Sequence, residues 1–212
     1  MKLIIALSIG YLTGSFNTAY VCGRLHGFDI RERGSHNAGA SNAKLCLGWG
    51  YFFLVAIVDI LKSIIAFYFI KLIFPSSDNI ELLSFIAALA AVIGHCFPFY
   101  LGFKGGKGFA TYIGLCFLID PLATLIILAV LLILSYIARY ILVATFGLTI
   151  VMPVLSFINA NGLLIRFTIV LLAALLVIYK HNSNIRKFIN NEELDMNGNH
   201  IGIATISSLF HS

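Results

Sequence analysis

Long apolar runs separated by short polar segments dominate the chain. Seven runs stand out, at about residues 3–22, 49–74, 81–101, 109–119, 121–137, 141–158 and 162–179. A helix needs roughly 20 mainly apolar residues to cross the hydrocarbon of a bilayer, somewhat fewer when short or tilted. The pattern predicts an all-α, polytopic transmembrane helix bundle of about seven spans, forming one domain over 1–212 with a tail from 180 to 212. The fourth run is short and stops at Asp120-Pro121, where proline cannot continue a helix and restricts the residue before it. Runs four and five are therefore read as two helices, with one long kinked element as the alternative. Lys2 and the apolar run after it resemble a signal peptide, but no small-x-small cleavage site follows, so the first run is kept as a span.

Composition agrees with a membrane protein. The chain is 60% hydrophobic and 11% charged, with mean hydropathy +0.98, whereas soluble domains carry about a quarter charged residues. Net charge is +5, and its placement fixes orientation rather than suggesting nucleic acid. If loops alternate sides, one side receives Arg24, Arg31, Arg33, Lys44, Lys104, Lys107, Arg139, Lys180, Arg186 and Lys187. The other receives Lys2 and Lys71, while Lys62 and Arg166 lie within spans. Cations collect on the cytoplasmic side, so the N-terminus is expected outside and the tail inside. The four cysteines (Cys22, Cys46, Cys96 and Cys116) form no C-x-x-C pair, and neither a disulfide framework nor a metal site is expected.

Three segments break the apolar pattern, and all map to the cytoplasmic face. The first, residues 27–44, packs Gly34, Ser35, Asn37, Gly39, Ser41 and Asn42 between Arg31, Arg33 and Lys44. Glycine-permitted turns with hydroxyl donors make good anion-binding concavities. The second, residues 94–108, ends in Lys104, Gly105, Gly106, Lys107 and Gly108 at a helix start. Free amides, the positive end of a helix dipole and two point charges suit phosphate there. This is not a P-loop, since Leu101 rather than glycine stands six residues before Lys107 and Gly108 replaces the magnesium-holding hydroxyl. The third joins His181, Asn184, Arg186 and Lys187 to Glu192 and Glu193. His181 and Asn184 share a face if the helix continues. Within the membrane, Asp59 and Lys62 are spaced to pair on one helix face, and the pair is read as architectural.

The three segments together resemble the acyl-phosphate-dependent glycerol-3-phosphate acyltransferases of bacterial membranes, over nearly the whole chain from Gly14-Ser15 to Glu193. The carriers are Arg33-Gly34-Ser35, Asn37, Gly39-Ala40-Ser41-Asn42 and Gly48, then Asp59 and Lys62, then Gly94-His95 with Phe97-Pro98. Phe103 to Gly108, Ala110-Thr111, and His181 with Ser183-Asn184-Ile185 complete the set. The resemblance implies a seven-span enzyme of the bacterial inner membrane that moves a fatty acyl group from acyl phosphate to the 1-hydroxyl of glycerol 3-phosphate. Lysophosphatidic acid and phosphate are the products, in the first step of phospholipid synthesis. It implies no cofactor, and partners limited to these substrates and membrane lipids, without nucleic acid or an obligate protein partner. By resemblance Ser35 sits at the reacting centre, with His181 and Asn184 holding substrate or loop. Lys44, Lys104, Gly105, Gly106, Lys107 and Gly108 bind phosphate; Asn37, Ser41 and Asn42 line the pocket; Asp59, Lys62 and Glu193 are structural. An activated acyl phosphate needs little general-base machinery, so the protein's contribution is positioning and charge stabilisation.

The chain departs from the family pattern at several positions. Leu45 stands where an arginine is usual, with Lys44 beside it, and lysine offers a point charge rather than a fork. His36 and Asn191 replace glycines, and Asn17 replaces a proline. The Leu45 departure leaves open an altered paralogue with another acceptor. A small transporter or channel is the other reading, and it expects polar residues on broken helices at the bilayer midplane. The separate acyltransferase class with a His-x-x-x-x-Asp dyad is excluded, because none of the 6 histidines has Asp five positions on.

Overall fold

The computed structural model describes residues 1–138, 140–158, 164–194 and 200–201. Each expected apolar run overlaps helix within its described residues. The first run divides into α1 (Lys2–Ser15) and α2 (Thr18–Leu25). Asn17 makes the division, its side-chain oxygen accepting from the Tyr20 amide as an N-cap. Helix α3 (Ala40–Leu47) follows the first polar segment. The long α4 (Trp49–Ile73) and α5 (Ile80–Cys96) come next. Then come α6 (Phe109–Ile119), α7 (Pro121–Ile137), α8 (Leu142–Ile158), α9 (Leu164–Lys180) and α10 (Asn182–Ile189). Runs four and five are two helices rather than one kinked element. The Asp120 side chain caps α7 at the Ala123 amide, and Pro121 takes the first helical position, where it needs no donor.

Lys2–Leu25, Trp49–Ile73 and Ile80–Leu101 are each long and apolar enough to cross a membrane. At about 1.5 Å per residue, α6 is only about 16 Å long, so its N-terminus and the polar turn before it are anchored by neighbours rather than by its own span. Small residues bring the central helices together. A β-carbon at Gly10 or Gly14 of α1 would collide with the Ala87 or Ala91 carbonyl of α5, and one at Gly114 of α6 with the Ile60 carbonyl of α4. Close backbone approach of this kind replaces hydrophobic driving force inside a bilayer. Phe67, Phe85, Tyr112, Leu148, Met152 and Val170 are among the residues filling the interior between α4, α5, α6, α8 and α9.

One expectation needs correction. α9 breaks at His181, and α10 leaves at 47°. Two short antiparallel strands follow, β1 (Glu193–Leu194) and β2 (His200–Ile201). His181 and Asn184 therefore lie across a bend rather than on one straight face. Arg139 and the rest of the tail fall outside the described residues.

Candidate active site

The first polar segment is built around a buried asparagine. Asn42 has no exposed surface, and its amide donates to the carbonyls of Ile30 (2.7 Å) and Arg33 (3.0 Å) while its oxygen accepts from the Ser35 amide (2.7 Å). The residue expected to line a pocket is instead committed to shaping the loop. Ser35 is exposed, with its backbone pinned by Asn42. Ser41 is exposed and Asn37 half-buried. Asp29 accepts from the Arg31 amide and guanidinium, and the guanidinium holds the Asp29 carboxyl below its usual range. Arg31 also donates to the Leu101 carbonyl at 2.8 Å, tying the first segment to the second. Lys44 lies over the Trp49 ring, 4.1 Å from its centroid, and Leu45 is 56% exposed.

The second segment folds back against α5. The Gly105 amide donates to the Cys96 carbonyl (3.2 Å) and the Gly106 amide to the His95 carbonyl (3.1 Å). These two amides, expected to hold phosphate, are used by the fold. Among the described residues no side chain caps the N-terminus of α6, where Gly108 has φ +84°. A helix N-terminus with uncapped amides attracts anions, and Lys104, exposed beside it, adds charge. Lys107 donates to the Asn184 side chain, whose amide donates to Glu193 at 2.6 Å. Burial pushes the Lys107 ammonium down to about 8.

The three segments meet here. A β-carbon at Gly106 would overlap the His95 ring and lie 3.0 Å from the Ala38 carbonyl of the first segment. That same carbonyl accepts from Asn17 at 3.1 Å, and the Asn17 amide donates to the Tyr100 hydroxyl at 3.0 Å. Proline at 17 would lack this donor. Lys180, closing the third side, donates to the Cys96 carbonyl at 3.1 Å. His181 is buried, its Nδ1–H donating to the Val177 carbonyl with nitrogen and oxygen 2.8 Å apart, so Nε2 keeps a lone pair. Burial pushes the His181 imidazole down to about 4, and at neutral pH it is an uncharged acceptor.

Asp59 and Lys62 are paired at 2.5 Å, both only 2% exposed. His95, which sequence reasoning left out of the site, joins them with its Nδ1 3.3 Å from the Lys62 ammonium. The signal was the Gly94-His95 motif, but nothing in its spacing shows that α5 delivers the ring to α4. Two departures also acquire a reason. His36 has φ +58° and Asn191 φ +59°, the left-handed region where glycine is unstrained.

A family profile described as glycerol-3-phosphate acyltransferase matches residues 4–191. The glycerol-3-phosphate acyltransferase of Chlorobium phaeobacteroides (strain BS1) is 36% identical, covering 90% of this chain and 95% of that protein. That of Aquifex aeolicus (strain VF5) is 35% identical, covering 91% and 98%. A crystal structure of PlsY (YgiH), an integral membrane glycerol 3-phosphate acyltransferase in its glycerol 3-phosphate form, matches with TM-score 0.81 at 31% identity. It covers 99% of this chain and all of that one. A lysophosphatidic acid form of PlsY matches with TM-score 0.79 at 30% identity, covering 92% and 95%. With matches running nearly end to end, the chain belongs to the glycerol-3-phosphate acyltransferase family.

Proposed function

We propose that this membrane enzyme transfers a fatty acyl group from acyl phosphate to the 1-hydroxyl of glycerol 3-phosphate, at the cytoplasmic face of a bacterial inner membrane. The observation that carries the reading is the convergence of three cation-bearing polar segments, two of them glycine-rich, on the N-terminus of α6, through Ala38 at Gly106 and Lys107 at Asn184. Both substrates carry phosphate, and relatives named for glycerol 3-phosphate acylation support the acceptor. The hydroxyl oxygen of the acceptor bonds to the acyl carbonyl carbon. The bond from that carbon to the phosphate oxygen breaks, and the hydroxyl proton ends on the departing phosphate. The uncharged His181 accepts a hydrogen bond from the acceptor through Nε2, and Asn184 fixes Lys107. Lys104, Lys107 and the first amides of α6 hold phosphate, while the exposed Ser35 hydroxyl lies at the reacting centre. The bias of cations toward one side supports a cytoplasmic site and tail, with the N-terminus outside.

The donor is tested by giving purified, lipid-reconstituted protein labelled glycerol 3-phosphate with either palmitoyl phosphate or palmitoyl-CoA. Acylation with palmitoyl phosphate and none with the thioester is expected, together with loss of activity in Ser35→Ala and Lys104→Ala. Turnover with the thioester alone would overturn the donor assignment.

A further inference from the structure

The Asp59–Lys62 pair does more than neutralise a buried charge. Lys62 Nζ lies 2.5 Å from Asp59 Oδ1 and 3.3 Å from His95 Nδ1, whereas His95 Nδ1 stands 3.6 Å from the same carboxylate oxygen. An ammonium only donates, so Nδ1 must accept, and a neutral imidazole then carries its hydrogen on Nε2. That Nε2 borders Gly106, where a β-carbon would collide with it and would lie 2.8 Å from His95 Cε1. His95 is 3% exposed; no described residue hydrogen-bonds its Nε2, and this nitrogen is not among the fully enclosed, unpartnered side-chain atoms, so it keeps an opening to a ligand. Here it sits in the turn that leads into the uncapped start of α6.

We propose that His95 is a substrate-binding residue whose Nε2–H donates to a phosphate oxygen seated at the α6 N-terminus, with Lys62 and Asp59 as positioning residues that fix its tautomer. The assignment of the phosphate to a substrate rests on the proposed acyl transfer. The ligand chemistry is a phosphate group, carried either by acyl phosphate or by glycerol 3-phosphate. Gly106 has no side chain because the imidazole must reach past it.

The test begins on the unaltered protein. Histidine-specific 15N labelling, with His95→Gln identifying the resonance, reads the protonated ring nitrogen directly. A bare Nδ1, a protonated Nε2 and movement of the Nε2 signal on adding inorganic phosphate are expected. A hydrogen on Nδ1 of neutral His95, or an Nε2 signal unmoved at saturating phosphate, overturns the proposal. A glutamine amide nitrogen overlays Nε2, whereas an asparagine amide overlays Nδ1. His95→Gln should therefore keep phosphate affinity within about threefold, and His95→Asn should lose about tenfold, each variant's melting temperature being measured alongside. Equal affinities in the two folded variants overturn it. KM for palmitoyl phosphate and for glycerol 3-phosphate, measured separately in His95→Asn, shows which substrate's phosphate is held; a fall in kcat with both KM values unchanged overturns it. Phosphate binding needs no turnover, so an inactive protein would refute the acyl transfer without deciding the role of His95.

Discussion

Replacing Gly106 by alanine isolates the geometry of the site with a single methyl. An ideal β-carbon there lies 2.8 Å from His95 Cε1, nearer still to Nε2, and 3.0 Å from the Ala38 carbonyl. Ordinary contact begins near 3.4 Å, and the two obstacles are a ring held by Lys62 and a carbonyl held by Asn17. Neither is the loose end of a flexible side chain, so the turn must retreat by roughly an ångström. Overpacking of this kind costs about 1–3 kcal/mol of stability. A displacement of about 1 Å at a positioning element costs about 100-fold in rate, equivalent to about 2.7 kcal/mol of transition-state stabilisation. Gly50→Ala is the control, because its β-carbon would enter open space. Initial rates over a range of glycerol 3-phosphate should give a kcat/KM about 100-fold lower for Gly106→Ala and unchanged for Gly50→Ala. A Gly106→Ala enzyme within threefold of the parent would refute the close contact between the two segments.

On the proposed role of Lys107, phosphate binding should depend on pH. Burial lowers its ammonium to about 8 from the ordinary 10.5, so KM for the phosphate substrates should rise between pH 7 and 9, and Lys107→Met should remove that rise. The sign for stability is opposite: between pH 8 and 10.5 the unfolded chain holds more protons, so this group's contribution favours folding increasingly as pH rises through that window. Reconstituted enzyme with a pH-independent KM would contradict both statements. At position 36, φ +58° makes glycine the unstrained residue. His36→Val should lower stability by about 1–2 kcal/mol, and His36→Gly should stay within about 0.5 kcal/mol because relief of strain is offset by unfolded-state entropy. Denaturation of the two variants side by side checks the ranking.

The apolar segments, the stop at Asp120-Pro121 and the one-sided cations were legible because each depends on local composition or on a residue's own covalent limits. The three polar segments were legible as chemistry, yet their internal wiring was not. Nothing local reveals that the Gly105 and Gly106 amides are spent on Cys96 and His95, or that Asn42 faces inward to hold Ile30, Arg33 and Ser35. Those bonds join residues whose proximity is set by helix packing, above all by α5 presenting His95 to α4. The bend at His181 was equally hidden, since its residues are compatible with continued helix. His36 and Asn191 stood out as missing glycines, and only the backbone angles say why glycine belongs there.

The most direct test uses glycerol 3-phosphate labelled with 18O in its 1-hydroxyl, palmitoyl phosphate and the purified, reconstituted protein without nucleotide. Mass spectrometry should find one phosphate released for each lysophosphatidic acid formed, with all of the label in the ester and none in the phosphate. Label in the phosphate, or no acylated product, would contradict acyl transfer at this site.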